Sequence, residues 1–149
     1  KPFWREEGLS GYVNSDQGPV KLMYDNSPHD GSAGVLLGFI EGQEARLAGR
    51  MSPAARKAAV LANFKQTIGN AAGSPKAYVE KNWASEEWTR GCYGGFLPPG
   101  ALTGFGPALR KPHGRIHWAG TEHAEIWNGY MDGALRSGED AAKAALKKL

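Results

Sequence analysis

The sequence predicts an α+β fold, an antiparallel or mixed sheet with packed helices, and three observations carry that prediction. Residues 9–14 and 20–24 have the make-up of two short strands, and Ser15-Asp16-Gln17-Gly18-Pro19 between them supplies the glycine and proline of a turn. Residues 33–40 form a nearly continuous apolar run, as expected of a central strand covered on both faces. Ser52-Pro53 then provides an N-cap and a first-turn proline, and Gly69 a C-cap, for a helix on which Val60, Leu61, Phe64 and Ile68 recur at helical spacing. Three strands in series predict an antiparallel meander with that helix packed on it.

The remaining elements follow in order. Residues 43–49 read as a short helix and residues 76–83 as a further strand. Residues 88–106 read as a long loop rich in glycine and proline, of a length that is uncommon unless it serves a function. Residues 116–119 read as a short strand, and a terminal helix follows Asn128. On that helix Met131, Ala134, Leu135, Ala142, Ala145, Leu146 and Leu149 fall along one stripe expected to pack, with Lys143, Lys147 and Lys148 outside it. The C-terminal lysines suit the negative end of the helix dipole.

Composition excludes several classes. The 21 glycines and 9 prolines in 149 residues argue against a helical bundle, whose helix interiors would not tolerate so many breakers. The net charge of +3 is spread over alternating basic and acidic positions, so no basic run is available to neutralise a phosphate backbone, and nucleic acid is excluded as a partner. The single cysteine rules out an internal disulfide and fits a reducing compartment. No stretch approaches the ~18 apolar residues of a membrane span. The expectation is a soluble, cytoplasmic protein with no membrane contact. His29, His113, His117 and His123 show no spacing that matches a zinc site, so no metal is expected. Ser137 sits mid-helix with no elbow motif around it, which excludes a serine hydrolase.

The functional argument starts between the 116–119 segment and the terminal helix. Trp118-Ala119-Gly120-Thr121-Glu122 leaves through small residues, and the chain re-enters a helix at Asn128-Gly129-Tyr130. Free N–H groups at such a helix start, beside a glycine without Cβ, can approach an anionic or strongly polarised ligand atom, either a phosphate or the N1/C2=O edge of a flavin. On geometry alone an ordinary strand-turn-helix crossover is the better account of the segment, and the sequence contains no GxGxxG.

The whole string is more specific. Lys81-Asn82-Trp83, Gly91-Cys92-Tyr93, Phe96-Leu97-Pro98-Pro99-Gly100, residues 114–122 and residues 127–142 follow one another over about sixty residues. This string closely resembles the C-terminal part of the flavin-dependent monoamine oxidase family. Lys1-Pro2-Phe3-Trp4-Arg5, Gly38-Phe39-Ile40 and the helix after Ser52 are similar to that family's substrate-binding region. The resemblance implies a substrate-binding region over 1–80. It also implies that 81–149 is the C-terminal segment of a Rossmann-like FAD-binding domain, completing it with a strand-turn-helix.

Site roles come with the resemblance. It implies FAD as cofactor with Cys92 as its covalent anchor through the flavin 8α-methyl; since bacterial relatives hold FAD without such a bond, non-covalent binding stays open. It implies that Tyr93 and Tyr130 flank the substrate amine, although on the residues alone both read as core aromatics. It implies that Trp83 and Trp88 surround the isoalloxazine and that Gly120, Thr121, Gly129, Met131 and Ala134 are positions where backbone approaches FAD. Phe39, Leu22 and Tyr24 would wall the substrate cavity. The implied reaction is oxidative deamination of a primary amine to aldehyde and ammonia, with O2 reduced to hydrogen peroxide.

The departures matter as well. The family's N-terminal GxGxxG segment and its lysine near flavin N5 are not in this sequence, and the opening Lys1-Pro2-Phe3-Trp4-Arg5 reads as a chain entered partway through a larger fold. The expectation is that a second chain or a missing segment supplies the rest. The alternatives are a remnant without FAD, its apolar faces covered in a homo-oligomer, or a relative acting on polyamines or L-amino acids.

Overall fold

The computed structural model describes residues 1–92 and 94–147. The chain divides into two compact units, Lys1–Lys81 and Asn82–Leu149. Among the described residues no helix is long and apolar enough to cross a membrane.

In the first unit, helix α1 (Phe3–Glu6) precedes strands β1 (Val13–Asn14), β2 (Leu22–Asp25) and β3 (Leu36–Phe39), and helices α2 (Gly42–Ala48) and α3 (Pro53–Ile68) follow. The strands form the expected antiparallel meander in the order β1-β2-β3. The register pairs Val13 with Met23 and Asn14 with Leu22, then Leu22 with Phe39 and Met23 with Gly38. Because side chains alternate across a strand, Val13, Met23 and Gly38 share one face, and Leu22, Tyr24, Leu37 and Phe39 share the other.

The inner face meets α3. Trp4, Val20, Met23, Val60, Phe64, Ile68 and Ala72 form the buried core, and Met23 is fully buried. Burying side chains of this size stabilises by roughly 1.5–3 kcal/mol each. The boundaries of α3 follow its sequence punctuation: the Ser52 hydroxyl accepts from the Ala55 N–H at 3.2 Å, and Gly69 ends the helix. Such a cap contributes about 1 kcal/mol. From within α3 the Asn63 side-chain oxygen accepts from the Val20 N–H at 2.8 Å and so ties the turn before β2 to the helix.

Two expectations are corrected in this unit. Residues 33–40 do not make a central strand covered on both faces: β3 stands at the end of the order, and Leu37 on its outer face is 40% exposed. Residues 76–82 form no strand: Lys76 lies in a bend and the rest carry no regular structure. Side chains pin that segment instead, since Arg56 pairs with Glu80, the Tyr78 hydroxyl donates to Glu80 at 2.8 Å, and Lys57 lies over the Tyr78 ring at 5.4 Å.

The second unit holds a 3-10 turn at Trp83–Ser85, helix α4 (Ala101–Leu109), a 3-10 turn at Thr121–His123 and helix α5 (Met131–Leu146). Helix α4 begins inside the stretch read as a loop, residues 88–106, and runs past its end. Its start is set by Gly100 in the left-handed conformation, with the Ala101 N–H donating to the Pro98 carbonyl at 3.1 Å and the Thr103 hydroxyl donating to the Gly100 carbonyl at 2.9 Å. Residues 116–119 form no strand; Ile116 makes only an isolated bridge with His113. An extended segment becomes a strand only beside a partner, and none pairs with it among the described residues.

Helix α5 packs on the side opposite to the one its apolar stripe suggests. Gly133 and Ser137 are its buried residues, whereas Met131, Leu135 and Leu146 are 85%, 71% and 68% exposed. Leu149 and Lys148 of that stripe and its flank lie outside the described residues.

Candidate functional site

In the second unit the segment from Gly120 to Ala134 is knitted into one turn. The Gly120 N–H donates to the Ser137 hydroxyl at 3.2 Å, and the Thr121 hydroxyl donates to the Tyr130 carbonyl at 3.0 Å. The Asn128 amide donates to the Glu122 carbonyl at 3.1 Å. Trp127 takes a left-handed φ of 58°, its carbonyl accepts from the Tyr130 N–H at 3.1 Å, and its ring meets Tyr130 edge to face at 5.7 Å. These bonds bring Gly120, Thr121, Gly129, Tyr130, Met131 and Ala134 together around the start of α5.

That start is open. The first-turn N–H groups of a helix have no intrahelical acceptor, and no side chain caps them in α5. The acidic residue in the first turn of α5, Asp132, is engaged by Arg136 at 2.6 Å. Gly129 has a φ of +85°, and nothing lies within 4 Å of the place a Cβ would occupy. A planar group with an electron-rich edge can approach the backbone there, and the helix dipole favours negative charge on it.

Other sequence-predicted residues of this unit sit outside that turn. Trp83 opens the Trp83–Ser85 turn and is half exposed, Trp88 is exposed, and Cys92 is exposed with a free thiol. Arg90, two residues before Cys92, has a left-handed φ of 53°, an uncommon conformation for a residue with a side chain. Tyr93 lies outside the described residues.

In the first unit Leu22, Tyr24 and Phe39 do share a surface, the outer face of the sheet. Leu22 and Phe39 are direct cross-strand partners, and Tyr24 meets the Phe39 ring edge to face at 5.9 Å. The back of β2 is clamped by charge. Asp25 accepts from Arg5 Nε at 2.6 Å, Trp4 Nε1 at 2.9 Å and the Ser27 N–H at 2.9 Å, and the Arg5 guanidinium above all holds its carboxyl well below the usual carboxylate range. In the 76–82 segment, burial and then the bond to Glu80 push the Tyr78 phenol up to about 12. Among the described residues no cluster of three His, Cys, Asp or Glu is placed to hold a metal.

Residues 1–146 match the family of flavin containing amine oxidoreductases. The chain belongs to that family. Its similarity to known members of the amine oxidoreductases is high. It is 47% identical over 149 residues to a Dictyostelium discoideum protein named "Probable flavin-containing monoamine oxidase A", covering 100% of this chain and 33% of that one. It is 44% identical over 146 residues to the L-amino acid dehydrogenase of Synechocystis sp., covering 98% and 31%. A putrescine oxidase structure, described as wild type bound to putrescine, superposes with a TM-score of 0.86 at 37% identity, covering 97% and 32%. The chain thus spans about a third of the length of these relatives.

A flavin is the cofactor this family implies, and the residues present fit one. The uncapped start of α5 and the open space at Gly129 suit the polar edge of a planar ring. Three residues that hold this turn had no role in the sequence reading: Ser137, Asn128 and Gly133. The available signal was the small-residue spacing Gly133, Ser137, Ala141, one side of a helix at intervals of four, which marks close backbone approach.

Proposed function

We propose that this chain is part of an FAD-dependent amine oxidase, in which a primary amine, O2 and water give an aldehyde, ammonia and hydrogen peroxide. The observation that carries this reading is the start of α5, uncapped and fronted by Gly129, in a chain of the flavin containing amine oxidoreductases. Residues 1–80 would serve substrate binding and residues 81–149 would belong to the FAD-binding part.

FAD, when bound, supplies the two-electron oxidation of the amine C–N bond. The first-turn N–H groups of α5 would hold the flavin's electron-rich edge, and as donors they would favour negative charge on it. Gly120, Thr121, Gly129, Met131 and Ala134 give the ring backbone and small side chains to lie against, with Trp83 and Trp88 as aromatic neighbours. Cys92 has a free, exposed thiol, as a covalent anchor needs before attachment. Tyr130 and Tyr93 flank the amine, orienting its α-C–H and excluding water.

Leu22, Tyr24 and Phe39 take the substrate's tail. The outer-face positions Asn14, Leu22, Tyr24, Leu37 and Phe39 carry no charge, which favours an uncharged aryl or alkyl tail over an amino acid's carboxylate or a diamine's second ammonium. The exposed stripe of Met131, Leu135 and Leu146 supports a further polypeptide packed on α5, from a second chain, another segment or another copy.

Absorbance spectra, intact mass and amine-dependent peroxide release test the reading. A flavin spectrum, peroxide release with an arylalkyl amine, and a mass increase on this chain that survives denaturation are expected. For the whole oxidase that contains this chain, supplied with FAD, a colourless protein that releases no peroxide overturns it, and a flavin lost on denaturation overturns the role of Cys92 alone.

A further inference from the structure

The outer face of the sheet continues past the end of β1 onto Tyr12. The ladder pairs Val13 with Met23 and Asn14 with Leu22, and the same register carried one residue outward sets Tyr12 opposite Tyr24. The two rings meet there edge to face, 5.2 Å between centroids at 60°. Tyr24 in turn meets Phe39 at 5.9 Å and 82°, so Tyr12, Tyr24 and Phe39 form a row across the strands.

Tyr12 is fixed from its backbone side. Gly11 is buried with a φ of +73°, and a Cβ on it would stand 2.8 Å from both the Asp25 Cβ and Trp4 Nε1. Only glycine lets the chain lie against the Trp4–Asp25 pair at that φ. The Tyr12 N–H donates to the Ser10 hydroxyl at 3.2 Å, which holds the turn into β1. The side chain is nevertheless 55% exposed, so a large ring is positioned without being part of the core.

We propose that Tyr12 is a specificity-determining residue, the end of the aromatic row that receives the substrate's tail and selects ring-bearing amines over short alkyl amines. This rests on the reading of the outer sheet face as the substrate surface. A ring added to a row of edge-to-face rings meets the geometry its quadrupole favours, whereas a short alkyl chain gains only contact area. In this role Tyr12 contacts the substrate's tail and takes no part in the oxidation of the C–N bond, so its effect falls on KM.

The test is steady-state kinetics of the flavin-loaded whole oxidase that contains this chain, with 2-phenylethylamine and n-butylamine, for the unaltered protein, Tyr12→Ala, Tyr12→Leu and Tyr12→Phe. Tyr12→Ala and Tyr12→Leu are expected to raise KM for the phenyl substrate about tenfold, with kcat within about twofold and the butylamine KM within about threefold. Tyr12→Phe keeps the ring and is expected to behave as the unaltered protein. Tyr12→Leu gives the same readout if the alanine variant does not fold. An unchanged ratio of the two KM values in Tyr12→Ala or Tyr12→Leu overturns the assignment of Tyr12 and leaves the oxidase reading standing. Failure of the unaltered, flavin-loaded protein to oxidise either amine overturns both.

Discussion

The carbonyl oxygen of Trp127 stands where the side chain of Gly133 would begin: a Cβ on Gly133 would lie 2.1 Å from that oxygen and 3.1 Å from the Ala124 Cβ. Helix α5 is therefore seated on the 120–130 turn through bare backbone, and the left-handed Trp127 is what turns its carbonyl toward the helix. Gly133→Ala forces the two apart, although alanine is the better helix former. The expected result is a loss of at least about 1–3 kcal/mol in denaturant unfolding, as for overpacking elsewhere. Flavin content on purification should fall with it. A variant as stable as the parent would contradict the seating described.

Ser137 closes the same turn from the other side. Its hydroxyl accepts from the Gly120 N–H, and Ser137 is buried, so Ser137→Ala leaves a partly buried donor without its acceptor. Such a group costs about 1–3 kcal/mol. Because the bond sets where Thr121 leaves the turn, and Thr121 in turn holds the Tyr130 carbonyl, the flavin absorbance maximum is expected to shift in Ser137→Ala. Ser137→Cys restores only a weak acceptor and should fall between the two.

What the sequence made legible was local. Ser52, Pro53 and Gly69 bound α3 because capping acts within one turn, and Gly18-Pro19 marked the first turn of the meander. Residues 76–83 and 116–119 misled because strand make-up describes a side chain's surroundings, while a strand exists only through its partner's ladder. Helix α4 was hidden by Gly104, Gly106 and Pro107, which lower helix propensity without preventing a helix that Pro98 and Gly100 start. The α5 stripe pointed to the exposed side because the packing of Gly133 depends on the Trp127 carbonyl, a group that no side-chain pattern encodes. At the candidate site the string from Gly120 to Ala134 was readable as a motif and the small-residue spacing marked the side of Ser137, but the bond Ser137 makes and the place of Tyr12 emerge only from the fold.

The acid and alkaline limits of the first unit follow from two groups. Asp25 has its folded-state pKa lowered, chiefly by Arg5, so its contribution is full above the unfolded value near ~4 and is lost as pH falls through the folded value. Tyr78 is raised to about 12, first by burial and then by its bond to Glu80. Its contribution is full below the unfolded value near ~10 and is lost as pH rises toward the folded one. Denaturant midpoints across pH should show both slopes. Asp25→Asn should flatten the acid limb and Tyr78→Phe the alkaline limb, each leaving the other in place.

Gly129 separates a folding role from a ligand role. At a φ of +85° a side chain is strained by roughly 1–2 kcal/mol, so Gly129→Ala should lower stability by about that amount. The space beside it is open in this chain, however, so going on to Gly129→Val adds little steric cost within the unit beyond the stiffness of a branched side chain. If a flavin lies against this backbone, the added methyls stand in its place. FAD affinity, measured by flavin fluorescence on titration, should then fall about tenfold or more from alanine to valine while the unfolding midpoint changes little further. Parallel changes in the two measurements would mean that Gly129 serves the turn alone, and that the ring is held elsewhere.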